Sequence, residues 1–205
     1  MARTTPATDE PSTEPKGREA VEAALVDAAA ELLAERGPDV GVREIAARAG
    51  VNHGQIHHYF GSKDALVAAA VRHLAVEHLD NATARARGGA LPPPLSLEAD
   101  DGYWRAVLRL LLDGRLDLAA IEVDEGLSVP RRALLALAAA EGDDQPTTEL
   151  KARTAASTAL QLAWAVLEDF VCLQLDVADD ERERVRAFIA GLSVRVLAPL
   201  DGLDP

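Results

Sequence analysis

Three histidines lie close together in the segment HGQIHH, residues 53–58. On a helix, His53 and His57 would share one face at a spacing that suits a metal ion, and His58 would add a third imidazole. Gly54 stands where a zinc hydrolase with this spacing carries its glutamate. The segment therefore allows three kinds of role, which are metal binding, hydrogen bonding to a polar partner, or exposure to solvent.

A candidate anion site follows the histidines. Gly61 is expected to break the helix and Ser62 to cap the next one, which puts Lys63 at its first position. The positive end of the helix dipole disfavours a cation there. A bound phosphate would remove this conflict, because free N–H groups at a helix start bind anions and Lys63 would add its charge.

Two short helices joined by a tight turn are predicted to position these side chains. The apolar residues of the first helix recur at helical spacing and are Val42, Ile45, Ala46 and Ala49. Gly50 is expected to end this helix in a left-handed conformation. The second helix is predicted to begin at His53, with Asn52 as its cap and Gln55 returning to Asn52 in a capping box. Gln55 is thus either a structural residue or a polar contact, and the pattern predicts a helix-turn-helix.

Residues 42–66, VREIAARAGVNHGQIHHYFGSKDAL, resemble the DNA-binding domain of TetR-family transcriptional regulators. The usual family pattern is T-V-R-x-I-A-x-x-A-G-V followed by S-x-x-x-L-Y-x-Y-F-x-S-K-x-x-L. The matching residues are Arg43, Ile45, Ala46, Ala49, Gly50, Val51, Tyr59, Phe60, Ser62, Lys63 and Leu66. The chain departs from the pattern at Gly41 and Val42, where hydroxyl residues are common, and at His57, which replaces a tyrosine.

The resemblance implies a homodimer that binds a pseudo-palindromic DNA operator, represses transcription and is released by a small effector. Lys63 is expected to hold a phosphate, whereas Arg43, His53 and Gln55 are expected to face base edges. Arg43 also fits an ordinary solvated helix position. The residues expected to contact DNA are Arg43, His53, Gly54, Gln55, His57, His58, Tyr59 and Lys63.

The whole chain is predicted to be an all-α protein. We expect a disordered tail over residues 1–15, a three-helix DNA-binding domain over 16–61, and a helical effector-binding and dimerisation domain over 62–205. Lys16 and Arg18, at the start of the first helix, are expected near the DNA backbone. The predicted helices cover residues 16–36, 62–87, pieces of 98–142 broken at Gly114, Gly126 and Pro130, 147–175, and 179–198.

The second domain offers candidate pocket and interface residues. Its predicted core over residues 98–142 comprises Trp104, Val107, Leu108, Leu111, Leu134, Leu137 and Ala138. The candidate pocket residues are Tyr103, Trp104, Leu108, Trp164, Leu167 and Glu168, and an apolar ligand with one or two polar groups would suit them. The helix over 147–175 is apolar on two sides, so that one side can meet a partner. The candidate dimer residues are Phe170, Phe188, Leu192 and Val196. Glu168 also fits a salt bridge at an interface.

Charge and composition restrict the other function classes. The formal net charge is −13, but the 132 residues from 74 to 205 carry 13 basic and 23 acidic side chains, so most of the acidity lies there. Residues 41–63 carry a net charge of +2, which is compatible with DNA binding and predicts weak non-specific affinity. The single cysteine, Cys172, excludes an internal disulfide and is expected to be a small buried hydrophobe.

No cofactor and no membrane partner are expected, and the protein is predicted to be cytoplasmic. The N-terminus has no apolar run typical of a signal peptide, and the longest uncharged helical run, residues 154–167, is too short to span a bilayer. Two alternatives remain beside the regulator. One is a metal-dependent helical hydrolase that uses His53 and His57, and the other is a helical adaptor that does not bind DNA. The adaptor would leave the polar face of residues 53–58 unexplained.

Overall fold

The computed structural model describes residues 15, 17–89, 91–96 and 100–199. Within these ranges the chain forms α-helices joined by turns and no β-strand, which confirms the predicted all-α class. The predicted tail, apart from Pro15, and the expected helix start at Lys16 lie outside the described residues. The helices are α1 (Arg18–Arg36), α2 (Val42–Arg48), α3 (Gly54–Phe60), α4 (Lys63–Ala86), α5 (Asp101–Leu112), α6 (Leu116–Ala119), α7 (Ile121–Asp124), α8 (Val129–Glu141), α9 (Thr148–Gln174) and α10 (Arg182–Arg195).

The first hydrophobic core holds α2 and α3 against α1 and the beginning of α4. One side chain from each helix reaches its centre, namely Leu25, Ile45, Ile56 and Leu66, and all four are fully or almost fully buried. Each contributes about 1.5–3 kcal/mol through burial of apolar surface. Tyr59 and Phe60 pack at the edge of this core, so that the aromatic end of α3 is anchored while its polar residues stay outside.

A second core joins the end of α1 and the first turns of α4 to α5. Leu33 on α1, Val67 and Val71 on α4, and Leu110 on α5 are buried in one cluster. The Arg109 side chain also donates a hydrogen bond from Nε to the Ala34 carbonyl oxygen, at 2.9 Å. The α4 helix therefore contributes to both cores, and α5 is fixed directly against α1.

The prediction of which α5 residues are buried is wrong, because the buried positions are displaced by about one residue along the helix. Leu111 is exposed and Trp104, Val107 and Leu108 are only half-buried, whereas the buried residues are Tyr103, Ala106 and Leu110. The error has a physical cause, because α5 is apolar around much of its circumference and ends in three leucines. Close packing against α1 and α4 favours the face that carries the small Ala106.

Two further expectations about helix ends need correction. Pro130 does not break a helix but lies in the first turn of α8, where the missing N–H costs no hydrogen bond. The last helix begins at Arg182 rather than at residue 179. Before it, the Glu181 carboxylate accepts a hydrogen bond from the Ala178 N–H at 3.4 Å, which supports a separate turn. Gly114 and Gly126 interrupt the helices as predicted, each with a φ of 71°.

Helices α9 and α10 pack through polar as well as apolar groups. The Ser157 hydroxyl donates to the Ser193 carbonyl oxygen at 2.9 Å. Arg153 is buried, and its guanidinium donates to the Leu197 carbonyl oxygen at 2.8 Å and to the Glu141 carboxylate at 2.9 Å. These pairings give partners to several of the polar groups that are buried where the two helices meet, which lowers the cost of their burial.

Substitution in the second core should test its importance for stability. Leu110 is 0% exposed and Leu112, two residues later on α5, is 77% exposed. We expect Leu110→Ala to lower the free energy of unfolding by about 2–5 kcal/mol, because it removes buried methyl groups and leaves a cavity. Leu112→Ala should change it by less than about 0.5 kcal/mol in the same denaturation experiment. Equal effects of the two variants would contradict the packing described for α5.

Candidate nucleic-acid interface

The turn between α2 and α3 is set by a glycine in a left-handed conformation. Gly50 has a φ of 67°, and the N–H groups of Gly50 and Val51 donate to the carbonyl oxygens of Ala47 and Ala46 at 3.2 and 2.9 Å. This pair of bonds is a Schellman motif, which satisfies carbonyl groups at the end of α2 and reverses the chain. The sequence prediction for this helix end is confirmed.

The predicted capping box at the start of α3 is wrong. The helix begins at Gly54 rather than His53, and the Asn52 side chain accepts a hydrogen bond from the Gly54 N–H at 2.8 Å. The Asn52 side chain thus forms an Asx turn with Gly54, while the Gln55 N–H donates to the backbone carbonyl oxygen of Asn52 at 2.9 Å and not to its side chain. Within the described residues, Oε1 of Gln55 is buried and has no hydrogen-bond partner. Gln55 is therefore not engaged in capping.

The outer face of α3 consists of polar side chains. His53, at the helix start, and His57 and His58 are exposed, whereas Ile56 on the opposite face is fully buried. His57 Nδ1 lies 3.3 Å from the Gly61 carbonyl oxygen. The His58 ring meets the half-buried ring of Tyr59 edge to face, with 4.8 Å between centroids. These contacts orient the imidazoles and leave them accessible to a partner.

The start of α4 has the geometry expected of an anion site. The Ser62 hydroxyl oxygen accepts a hydrogen bond from the Ala65 N–H at 3.1 Å, which confirms the predicted cap. Lys63 is the first residue of the helix and is half-buried. No acidic side chain pairs with Lys63 among the described residues. The local positive potential of the helix start and this ammonium group can therefore act together on an anion.

Ion pairing divides the basic side chains of this region into two groups. Arg48 donates to both Glu31 and Glu35, at 2.9 and 3.0 Å, and the Glu35 and Glu31 hydrogen bonds raise its pKa above the ordinary value. Arg18 pairs with Glu22 at 2.8 Å and lies over the Tyr59 ring. Arg43 is exposed and forms no ion pair with any residue that the structure describes. Arg43 and Lys63 are thus available to an external anion.

Among the described residues, no other metal-ligating side chains join the histidines of α3. Across the described residues, no group of three or more His, Cys, Asp or Glu side chains is arranged to hold a metal ion. The i, i+4 pair of His53 and His57 therefore lacks a third protein ligand there. Binding through hydrogen bonds is the chemistry that this face supports.

The candidate pocket residues do not converge on one pocket. Trp104, Leu108 and Leu167 line an open apolar groove between α5 and α9. Tyr103 is buried and its hydroxyl donates to the Glu122 carboxylate. Trp164 packs against Leu95 and Cys172 in a small separate core, which agrees with the prediction for Cys172. Glu168 pairs with Arg186 of α10 at 2.6 Å.

A more enclosed cavity borders His78, a residue that the sequence analysis did not select. His78 is buried on α4 and lines this cavity together with Trp104. Its position could have been inferred, because Val71, Ala75 and Ala82 precede or follow it at helical spacing and are all buried. A histidine in that stripe must be enclosed with them.

The candidate dimer residues lie mainly on the surface of the single chain. Phe170 on α9 is 57% exposed and Phe188 on α10 is 71% exposed, while Leu192 is also exposed and Val196 is half-buried. Large apolar side chains exposed together are unusual unless another surface covers them.

By length and hydropathy, α9 is also the one helix in the described ranges that could cross a membrane. Its uncharged run had been predicted to be too short for this.

Comparison with known proteins places the helix-turn-helix in a family. Residues 25–70 match the model of the bacterial regulatory proteins of the tetR family. The HTH-type transcriptional repressor Rv3405c of Mycobacterium tuberculosis is 43% identical over 112 residues, which cover 54% of this chain and 56% of the repressor. The HTH-type transcriptional regulator BetI of Brucella anthropi is 51% identical over 51 residues, covering 24% of this chain and 26% of that protein. The chain thus spans about half the length, or less, of the curated relatives it matches.

Solved structures extend the likeness in fold to most of the chain. A TetR-family transcriptional regulator from Streptomyces coelicolor superposes with a TM-score of 0.62 at 20% identity, covering 88% of this chain and 82% of that one. A regulator described as a putative TetR-family protein from Rhodococcus sp. superposes with a TM-score of 0.58 at 18% identity, covering 87% and 98%. At these identities the likeness shows the fold alone.

The geometry at the start of α3 predicts different effects for two neighbouring polar residues. We expect Asn52→Ala to lower the free energy of unfolding by about 0.5–1.5 kcal/mol, because the Asx-turn hydrogen bond is lost. Gln55→Ala should leave stability within about 0.5 kcal/mol of the parent, because its side-chain oxygen has no partner to lose. Chemical denaturation followed by circular dichroism measures both. A larger loss for Gln55→Ala than for Asn52→Ala would restore the capping-box interpretation.

Proposed function

Because this chain is a member of the TetR family of helix-turn-helix regulatory proteins, we propose that it binds operator DNA as a homodimer and represses transcription until an effector binds. The observation that carries this proposal is the outer face of α3. His53, His57 and His58 are exposed there, on the same helix-turn-helix segment as Arg43 and Lys63, which have no ion pair among the described residues. Because the family consists of regulators and not of enzymes, nothing supports the alternative of a hydrolase that uses His53 and His57.

The proposed DNA contacts fall into two groups by chemistry. Lys63 and the free N–H groups at the start of α4 hold a phosphate, which fixes the position of the protein on the duplex. Arg43, His53 and Gln55 surround the beginning of α3, which is the end of a recognition helix that meets base edges in the major groove. The remaining contacts are Gly54, which lets the backbone approach DNA closely, and His57, His58 and Tyr59, which lie towards the adjacent backbone.

The homodimer is proposed to form through the exposed apolar side of α9 and α10. Phe170 and Leu173 on α9 and Phe188 and Leu192 on α10 would be buried between the two copies. The same two helices are joined by Glu168 with Arg186 and Asp169 with Arg182, at 2.6 Å each. Ionised pairs near the end of an apolar helix suit a protein interface with a polar rim better than a bilayer interior. We therefore assign the apolar character of α9 to the dimer and propose no membrane partner.

Effector control is proposed to act through α4. This helix begins at Lys63 on the DNA side and reaches His78 beside the cavity, so a ligand there contacts the helix that holds the phosphate. The two positions are about 22 Å apart along the helix axis, at 1.5 Å per residue. A shift of α4 changes the separation of the two α3 helices in a dimer, and a two-fold operator requires that separation to be about 34 Å or a further helical turn.

Separating phosphate contact from base reading tests the proposed DNA surface. Lys63→Ala should weaken binding similarly on all DNA sequences and lower the salt slope by about one, because one phosphate contact is lost. Arg43→Ala, if its guanidinium is bidentate to guanine, should cost about 1–3 kcal/mol and relax the preference at one base pair. Selection of binding sites from genomic DNA, followed by titration at several salt concentrations, measures both effects.

Arg48→Ala is the matched control for these two variants. Its guanidinium is held by Glu31 and Glu35, so we expect its loss to leave the selected sequence and the salt slope unchanged. If Arg43→Ala and Gln55→Ala both leave the selected sequence unchanged, base reading belongs to His53, His57 or DNA shape instead. Failure to select any DNA sequence with the parent protein would contradict the proposed function itself.

A charge placed in the apolar face of α10 tests the proposed dimer. We expect Phe188→Asp to weaken dimerisation about 100-fold or more, because burial of an unpaired carboxylate costs about 3–5 kcal/mol. Leu192→Asp should act in the same direction. Val123→Asp, on the exposed surface of α7, is the control and should leave the dimer intact. Sedimentation equilibrium measures the association constants, and a Phe188→Asp protein that remains a dimer would rule out this face.

A further inference from the structure

The cavity beside His78 has the size and lining of a small-molecule site. Its volume is about 120 Å³, and most of its wall is apolar. The wall is formed by α4, α5, α8, α9, the end of α10 and the segment 91–94 between α4 and α5, with Val129, Leu137 and Leu197 among its apolar side chains. This is smaller than the cavity of about 150 Å³ that binds benzene in another protein, so the cavity limits its ligand to one small ring.

One ring nitrogen of His78, beside this cavity, has no hydrogen-bond partner among the described residues. Its ring is 2% exposed, and Nδ1 lies 2.8 Å from Asp100 Oδ2. Asp100 also accepts hydrogen bonds from Asn81 Nδ2, at 2.8 Å, and from the Arg85 guanidinium. Within the described residues, Nε2 of His78 is buried without a hydrogen-bond partner.

The surroundings determine which hydrogen-bond role this nitrogen plays. Burial lowers the pKa of His78, although the Asp100 carboxylate acts in the opposite direction, and Arg85 reinforces the lowering. The imidazole is therefore neutral near pH 7. A carboxylate can only accept, so Nδ1 carries the proton and donates to Asp100. Nε2 then carries a lone pair and can accept a hydrogen bond from a ligand.

A second buried nitrogen without a partner belongs to a ring that contacts His78. The Trp104 ring meets the His78 ring edge to face, with 5.1 Å between centroids, and it lines the same cavity. Its Nε1–H is buried and has no acceptor among the described residues. A buried donor or acceptor left without a partner costs about 1–3 kcal/mol. A ligand that satisfies both nitrogens recovers that free energy.

Several other polar groups in the cavity wall already have partners among the described residues. The Thr154 hydroxyl donates to the Leu150 carbonyl oxygen at 2.8 Å, and the Ser157 hydroxyl donates to the Ser193 carbonyl oxygen at 2.9 Å. The Gln161 amide donates to Ser157 Oγ and accepts from the Leu95 N–H, at 3.3 and 3.2 Å. Among the described residues, the His78 and Trp104 nitrogens are therefore the fully buried groups in this wall with free bonding capacity, and the half-buried Thr158 hydroxyl is a further group that a ligand could use.

We propose that this cavity binds a neutral aromatic alcohol with a single ring, for which phenol is the simplest example. The ligand hydroxyl donates to His78 Nε2 and accepts from Trp104 Nε1–H, while its ring fills the apolar part of the cavity. A carboxylate has no proton to donate, and its charge would meet the lone pair of His78 Nε2. This inference rests on the proposed function, because it names the chemical class of the effector.

The position of His78 would couple such a ligand to α4. His78, Asn81 and Arg85 all lie on α4 and all bind Asp100, just before α5. Tyr103 stacks on the His78 ring at 4.3 Å between centroids, with 8° between the ring planes. The orientation of the imidazole is thus fixed before the ligand binds. A ligand that displaces the ring therefore also displaces α4, because the ring is not free to rotate.

Calorimetric titration of the purified full-length protein with phenol, anisole and toluene tests the ligand class. Anisole keeps the oxygen but lacks its proton, and toluene lacks both. We expect phenol to bind about tenfold more tightly than anisole and toluene, as one to two hydrogen bonds imply. Equal affinities for phenol and toluene, or no phenol binding up to its solubility limit, would overturn the proposal.

Replacement of each tryptophan in turn tests the site. Trp104→Phe keeps an aromatic ring in the wall and removes the donor, so it should reduce phenol affinity about tenfold and leave toluene affinity unchanged. Trp164→Phe is the matched control, because the Trp164 Nε1–H is also buried without a partner but does not line this cavity. It should leave phenol affinity unchanged. Loss of phenol affinity in Trp164→Phe but not in Trp104→Phe would place the site elsewhere.

Operator titrations with and without phenol distinguish failure of this inference from failure of the proposed function. Binding of a selected operator by a protein that does not bind phenol overturns the ligand class and leaves the regulator intact. Phenol binding with the expected selectivity, but without change in operator affinity, supports the ligand class and contradicts effector control at this cavity. A protein that binds phenol selectively and no DNA also supports the ligand class and contradicts the proposed function.

Discussion

The uninterrupted α4 helix is the constraint on which the rest of the structure depends. Leu66 belongs to the core beneath α3, Val67 and Val71 belong to the core shared with α1 and α5, and His78 borders the cavity. A helix of 24 residues without an internal proline or glycine moves nearly as a rigid body over this length. The DNA surface and the cavity are therefore not independent, because any rearrangement at one end of α4 must be accommodated by the packing at the other.

Ion pairing of individual side chains, rather than the net charge, determines which part of this acidic protein can contact DNA. The carboxylates of Glu31 and Glu35 neutralise Arg48, and Glu44 pairs with Arg36, so that these charges contribute little beyond their own neighbourhood. Arg43 and Lys63 keep their charges available. The resulting positive surface is small, which favours dependence on base contacts over non-specific attraction to phosphates.

Features that depend on a few adjacent residues could be predicted from the sequence. Which face of a helix packs against its neighbours could not. Gly50 and Ser62 specify helix ends through their own backbone and side-chain chemistry, and both were predicted correctly. The face of α5 was not, because apolar side chains cover most of the helix opposite the stripe of Asp101, Arg105 and Arg109, and Ala106 matters only once α1 and α4 lie beside it. The role of Asn52 was also misjudged, since an Asx turn and a capping box begin with the same residue type. The cavity is formed where five helices meet, and no short sequence pattern predicts such a meeting.

The size of any effector response is limited by the contacts that differ between the two states. A ligand shifts an equilibrium only by its difference in affinity for the two conformations, and the coupling acts equally in both directions. A ring that fills an apolar cavity is bound in either state unless the cavity closes, whereas two directional bonds to His78 and Trp104 depend on the relative position of α4 and α5. If those bonds form in one state only, at about 0.5–1.5 kcal/mol each, they supply a coupling of about 1–3 kcal/mol, or about 5- to 150-fold in operator affinity. The hydroxyl group, rather than the larger apolar surface of the ligand, would then control the switch.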